Sequence, residues 1–168
     1  MPGKLGMTSE QRVALLRQQA ASLLWYGRIE TTKGKAKELQ SYVEKVITLA
    51  INNYEDTIEE TVTVKNAKGK EVQQKIVKDG VKKLSARRRI MSKIDSIPEV
   101  KGAKETKAEF KARTKNVKHP VIEKLFNEIA PKYAERAKEL GQGGGYTRIY
   151  LNGQRKGDAA ETAIIELV

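Results

Sequence analysis

Cysteine is absent from the 168-residue chain, and histidine occurs once, at position 119. The first absence excludes disulfides and thiolate metal sites, and the two together exclude the usual zinc ligand sets. Aromatic residues make up only 5% of the chain, too few to dominate a core. No apolar run approaches the ~20 residues needed to span a bilayer. The opening MPGKLGMTSE carries no apolar segment of the secretory type. These gaps predict a soluble, cytosolic protein with no membrane partner.

Charge is what the chain has in excess. Charged residues reach 32%, and Lys plus Arg outnumber Asp plus Glu by 33 to 21, a formal balance of +12. A surface that basic favours a polyanionic partner, because phosphate neutralisation releases condensed counterions. The excess is uneven: residues 84–120 carry 11 basic and 4 acidic side chains, whereas residues 121–168 carry 7 of each.

The length and a 39% apolar content suit a single domain spanning 1–168. Thr8 and Gln11 have capping-box spacing, and Val13, Leu16, Ala20, Leu23 and Leu24 form an apolar stripe that Gly27 ends. RIETT, 28–32, reads as a strand or an extended entry to a second helix from about Lys33 to Ala50. In that helix Ala36, Leu39, Val43, Val46, Ile47 and Ala50 recur at the helical period. Residues 54–83 read as an inserted β-hairpin: TVTVK at 61–65, a turn at NAKG, KEVQQKIVK at 70–78, and a close at Asp79-Gly80. Val81, Leu84, Met91 and Ile94 then suggest a helix bearing Arg87, Arg88 and Arg89. Residues 97–118 are lysine-rich and weakly periodic, as an extended segment on a polyanion would be.

A last helix starts at Pro120 and runs along Val121, Ile122, Leu125, Phe126, Ile129, Tyr133 and Leu140, with a kink or restart at Pro131. After Gly141 come two strand-like runs, YTRIYL at 146–151 and TAIIELV at 162–168. The predicted fold is α+β, with helices packed on one face of a small mixed β-sheet and a hairpin inserted.

Enzymatic templates fail. The glycines from 141 onward do not complete a dinucleotide fingerprint, because the position that needs the last glycine is Tyr146. Gly34-Lys35 is followed by Ala36 rather than Ser or Thr, so no Walker loop exists. His119 sits at a helix start with nothing nearby in sequence to orient it, which suits a capping or solvated role. No catalytic residue, cofactor, metal or small-molecule substrate is expected.

Dispersed basic chemistry remains. Lys33, Lys35 and Lys37 crowd a helix N-terminus, where free N–H groups and lysines suit either a phosphate or plain solvation. Arg87, Arg88 and Arg89 span most of a helical turn, so at least one leaves the apolar face. Tyr146 and Arg148 stand two apart on a strand and so share a side. An aromatic ring beside a guanidinium can stack on a base and clamp a phosphate. The alternative is that Tyr146 packs on the last helix while Arg148 is merely exposed. Arg155 and Lys156 add cations in the following turn. Gly143–Gly145 reads as a bend before the strand, bare of side chains so that backbone can approach RNA.

RIETT (28–32), KAKEL (35–39), VEKVITLA (43–50), ARRR (86–89), KLFNEIAPKYAER (124–136), GGYTRIY (144–150), RKGDAAE (155–161) and IIELV (164–168) occur in this order, after KLG (4–6) and TSEQR (8–12). In this the chain resembles the bacterial large-subunit ribosomal protein seventeen family. The resemblance implies a cytoplasmic, ribosome-bound structural protein with an α+β fold. Its partners would be large-subunit rRNA near the polypeptide exit side and neighbouring ribosomal proteins, with no homo-oligomer. Position by position it carries over rRNA contacts to Lys4, Arg12, Arg28, Thr31, Thr32, Lys35, Arg87, Arg88, Tyr146, Thr147, Arg148 and Arg155. The charge clusters add Lys33, Arg89 and Lys156. Two departures stand out: Met7 replaces a usual arginine, and the segments 54–80 and 97–118 exceed the common form. Set against a free-standing nucleic-acid-binding module or an enzyme acting on nucleic acid, the order of these motifs favours the ribosomal reading.

Overall fold

The Thr8 hydroxyl accepts from the Gln11 backbone N–H at 3.4 Å while the Gln11 side chain accepts from Thr8 N–H at 3.3 Å, so two orphan donors are satisfied at the start of α1, Ser9–Tyr26. Gly27, at φ 80°, ends it in the left-handed conformation that costs glycine little. The computed structural model describes residues 3–65, 71–115 and 117–168. Within them α1 leads to β1, Arg28–Thr32, and at once to α2, Lys33–Ile51. All six apolar positions expected of α2 are buried, and so are those of α1 except Val13, which is 39% exposed. Burial of each Leu or Ile here stabilises by about 1.5–3 kcal/mol, so these two stripes are what fix the helices on the sheet.

The hairpin forms in antiparallel register from Thr57↔Asp79 inward, as β2, Thr57–Lys65, and β3, Glu71–Asp79. The expected NAKG turn lies outside the described residues. At its base the Asp56 carboxylate accepts from Lys82 N–H at 2.7 Å and from Lys83 N–H at 3.2 Å, capping α3, Val81–Met91. That carboxylate occupies the space a Cβ on Gly80 would need, which explains the glycine.

Two expectations fail beyond the hairpin. The buried face of α3 is Lys83, Ala86 and Ile90, continued by Ile94, while Val81, Leu84 and Met91 are exposed. The reason is that the aliphatic stem of Lys83 and the small Ala86 pack where larger apolar residues were expected. Residues 97–118 are not extended throughout: Lys107–Thr114 form α4, opened by a Thr106–Glu109 capping box and burying nothing. Local capping, rather than apolar periodicity, makes this helix.

The long C-terminal helix is interrupted as Pro131 requires. After α5, Pro120–Lys124, one π turn spans Leu125–Ile129, and Ala130 N–H reaches back five residues to the Leu125 carbonyl. α6, Ala130–Leu140, follows, with Leu140 65% exposed rather than on the buried stripe. The two strand-like runs are β4, Thr147–Gln154, and β5, Glu161–Leu167. The sheet order is β1-β5-β4 and both pairings are antiparallel, so the α+β class holds but the sheet is not mixed. The short connection from β4 to β5 reverses the chain there, while β1, remote in sequence, lies antiparallel along the other edge of β5. β4 also runs through Asn152-Gly153, past the expected turn, with a register shift between Leu151 and Gln154.

Helices α1 and α2 pack on one face of this sheet. The inward row is Ile29↔Ile165↔Ile149, with Ala163 beside it, and Ile165 and Ala163 are fully buried. No helix among the described residues is long and apolar enough to cross a membrane.

Candidate nucleic-acid interface

Side chains alternate along a strand, so burying Ile29, Ile149 and Ile165 turns their neighbours outward. The outward rows are Arg28↔Glu166↔Arg148 and Glu30↔Ile164↔Tyr150. Arg28, Arg148 and Tyr150 are exposed, and an Arg148 Nη1–H donates to the Tyr150 hydroxyl at 3.5 Å. The Asn152 amide donates to Glu30 at 2.9 Å, holding the next row in place. Ion pairs among the described residues engage Lys33, Lys78, Lys83, Arg87, Arg113, Lys138 and Arg155, which leaves Arg28 and Arg148 outside them. A sheet face with two guanidiniums outside ion pairs and a tyrosine can grip phosphates and stack a base.

Tyr146 is not on that face. It precedes β4 and is 6% exposed, its ring tilted 55° against Tyr133 at a centroid distance of 5.0 Å. The Tyr133 hydroxyl donates to the Tyr146 carbonyl at 3.1 Å, and burial pushes that hydroxyl's pKa up, keeping it a donor. The expected stacking role for Tyr146 is therefore corrected to a core role. Gly145 at φ 61° breaks the alternation before the strand begins and turns the ring inward. Thr147 is likewise buried, its hydroxyl donating to Glu44 on α2 at 3.0 Å. Tyr150, missed by the sequence reading, takes the outward aromatic position. The same two-residue alternation that linked Tyr146 to Arg148 reaches it one step further on.

The Gly143–Gly145 bend is as expected, with Gly144 at φ 102°. It is fastened by Arg136 on α6, whose Nη2–H groups donate to the carbonyls of Gly145 at 3.0 Å and Gly144 at 3.5 Å. No local sequence signal announces this role for Arg136.

A second cationic region gathers at the start of α2. Gly3 N–H donates to Glu38 at 2.6 Å and Arg12 Nη1–H to the Gly3 carbonyl at 3.5 Å, drawing the N-terminal arm with Lys4 against α2. The first turn of α2 holds no acid and Thr32 makes no side-chain cap, so Lys33 and Lys35 stand beside unpaired N–H groups. Lys33 is nevertheless paired with Glu161 at 2.7 Å. Thr31 faces inward, accepting from Gln19 at 3.1 Å.

The arginine cluster divides. Arg87 is half-buried, ion-paired with Asp79 at 2.7 Å and with Glu123, its guanidinium 5.2 Å from the Phe126 ring centroid. Its expected phosphate contact is corrected to an internal one, since both carboxylates already neutralise it. Arg88 and Arg89 are exposed in the last turn, where cations suit the helix dipole. Arg155 is clamped on Asp158 through Nε at 3.1 Å and Nη2 at 2.7 Å, while Lys156 beside it is exposed. The Ala160 N–H and this arginine hold the Asp158 carboxyl below its ordinary range. His119 stands at the start of α5 but makes no side-chain cap there. Among the described residues no cluster of three or more metal-ligating side chains occurs.

The fold and the site together define an α+β protein with a packed core and exposed cations dispersed over its surface. The family model described as "Ribosomal protein L17" matches residues 15–168. The "Large ribosomal subunit protein bL17" of Lachnospira eligens is 41% identical over 98% of this chain and 97% of its own length. The proteins of the same description from Acetivibrio thermocellus and Clostridium botulinum are 37% and 38% identical over 98% of this chain. The chain belongs to the ribosomal protein L17 family, and as such it is a structural ribosomal protein rather than an enzyme.

Proposed function

We propose that the chain is built into the large ribosomal subunit near the polypeptide exit side, where it binds and stabilises large-subunit rRNA and touches neighbouring ribosomal proteins. The observation that carries this reading is the outer face of the β1-β5-β4 sheet, where Arg28, Arg148 and Tyr150 are exposed and both arginines are free of ion pairs among the described residues. Phosphate contacts by these guanidiniums would position the protein, and Tyr150 would stack on an unpaired base. Lys4, Arg12 and Lys35 at the start of α2, with Arg88, Arg89 and Lys156, extend the phosphate contacts. Thr32 at the end of β1 and Lys33 at the start of α2 adjoin them. Binding spread over many weak ionic contacts needs no deep pocket and no cofactor.

In a low-salt lysate the protein is expected to sediment with the large subunit, and to leave it when salt rises, since each phosphate contact weakens as counterions compete. Recovery of all the protein in the post-ribosomal supernatant at low salt would refute the proposal.

A further inference from the structure

We infer that helix α4 is a second RNA-binding element, presenting Lys107, Lys111 and Lys115 as one row toward phosphates of the large-subunit rRNA. The inference rests on the rRNA-binding reading above and narrows the polyanion contact expected of residues 97–118 to one side of a helix. Four-residue spacing places successive lysines about 6 Å apart along the helix axis and on neighbouring positions of one side. All three are exposed, and α4 buries no residue, so packing does not account for the helix.

What accounts for it is the arrangement of its acids. Residues 97–118 contain six lysines, one arginine and three glutamates. Every glutamate is committed elsewhere. Glu109 accepts from Thr106 N–H at 2.8 Å, closing the capping box. Glu105 accepts from Arg113 Nε at 3.1 Å and Nη2 at 3.3 Å, and from Gly102 N–H at 3.1 Å. Glu99 pairs with the same arginine. Arg113 also lies 5.5 Å from the Phe110 ring centroid. At 100° per residue Arg113 stands about 160° round the helix from both Lys111 and Lys115, so acids and arginine are gathered opposite the lysines. Arg113 is thus a positioning residue that orients the helix and removes the nearest carboxylates. The lysine row has no ion-pair partner among the described residues.

An acid-free row of cations on a helix held by its own cap is matched to a phosphodiester backbone, which offers a regular line of single negative charges. Lysine suits this, acting as a point charge without demanding one base sequence.

The test uses the full chain and deproteinised large-subunit rRNA, with affinity followed as salt is raised. Lys107→Gln, Lys111→Gln and Lys115→Gln together keep helix propensity while removing three charges. The salt slope of the logarithm of affinity should fall by about 2–3, with affinity at least about ten-fold weaker at moderate salt. The three corresponding Lys→Arg changes should restore both. A wild-type chain that binds with an unchanged slope in the glutamine variant overturns the inference and leaves the rRNA reading standing. A wild-type chain with no salt-dependent binding overturns both. Capture of a protein instead of RNA by a photoreactive group at position 111, in reconstituted large subunits, also overturns it.

Discussion

Tyr146→Ala is expected to lower the free energy of unfolding by about 3–5 kcal/mol, the usual range for removing a buried aromatic side chain. Tyr146→Phe should cost less than about 1 kcal/mol, because volume is conserved and the Tyr146 hydroxyl forms no hydrogen bond within the described residues. The pair of variants separates two roles that look alike in sequence. A ring that stacks on RNA would lose affinity on truncation with little change in stability. A ring packed at 5.0 Å on Tyr133 loses stability first. Denaturant unfolding of the free protein reads the difference directly. Equal stability of Tyr146→Ala and the wild type would return Tyr146 to the RNA face.

The second large effect concerns the outer sheet face. Arg28→Gln combined with Arg148→Gln should weaken rRNA binding by about 150-fold or more, taking about 1.5 kcal/mol, the low end of the usual range, for each charge-assisted contact. Stability should change by less than about 0.5 kcal/mol, as for other exposed sites outside ion pairs. Glutamine is the informative replacement. Glutamate would set three carboxylates in one cross-strand row with Glu166 and confuse repulsion within the sheet with lost binding. Lys75→Gln on the exposed hairpin, whose segment is nearly balanced in charge, should change affinity by less than about two-fold. Comparable losses in the sheet and hairpin variants would show that only net charge matters.

Much of the fold is legible in the chain because its signals are local. The α1 cap, the six buried positions of α2, the hairpin strands and the interruption at Pro131 all follow from spacing and from residues with fixed backbone demands. What escaped is decided at a distance. The buried face of α3 depends on the Lys83 stem lying near Phe126, its Nζ 6.0 Å from the ring centroid, which no pattern within 81–94 encodes. The helix α4 escaped for the opposite reason: it is made by capping and solvated charge, and apolar periodicity is silent there. Arg148 is exposed on the outer face of the sheet, as strand alternation implies, and Arg28, taken from the resemblance alone, lies in the same cross-strand row. Tyr146 was assigned outward because the strand was begun one residue early, and a single positive φ at Gly145 reverses that choice. Arg87 and Arg155 were read as free cations, whereas their partners Asp79, Glu123 and Asp158 are brought to them by the hairpin base, by α5 and by a loop.

The most direct test of rRNA recognition by the sheet is crosslinking to RNA in assembled large subunits from photoreactive residues at positions 150, 146 and 75. Position 150 should crosslink strongly to large-subunit rRNA, with positions 146 and 75 near background. Crosslinks from the hairpin at 75 with none from 150 would contradict the account.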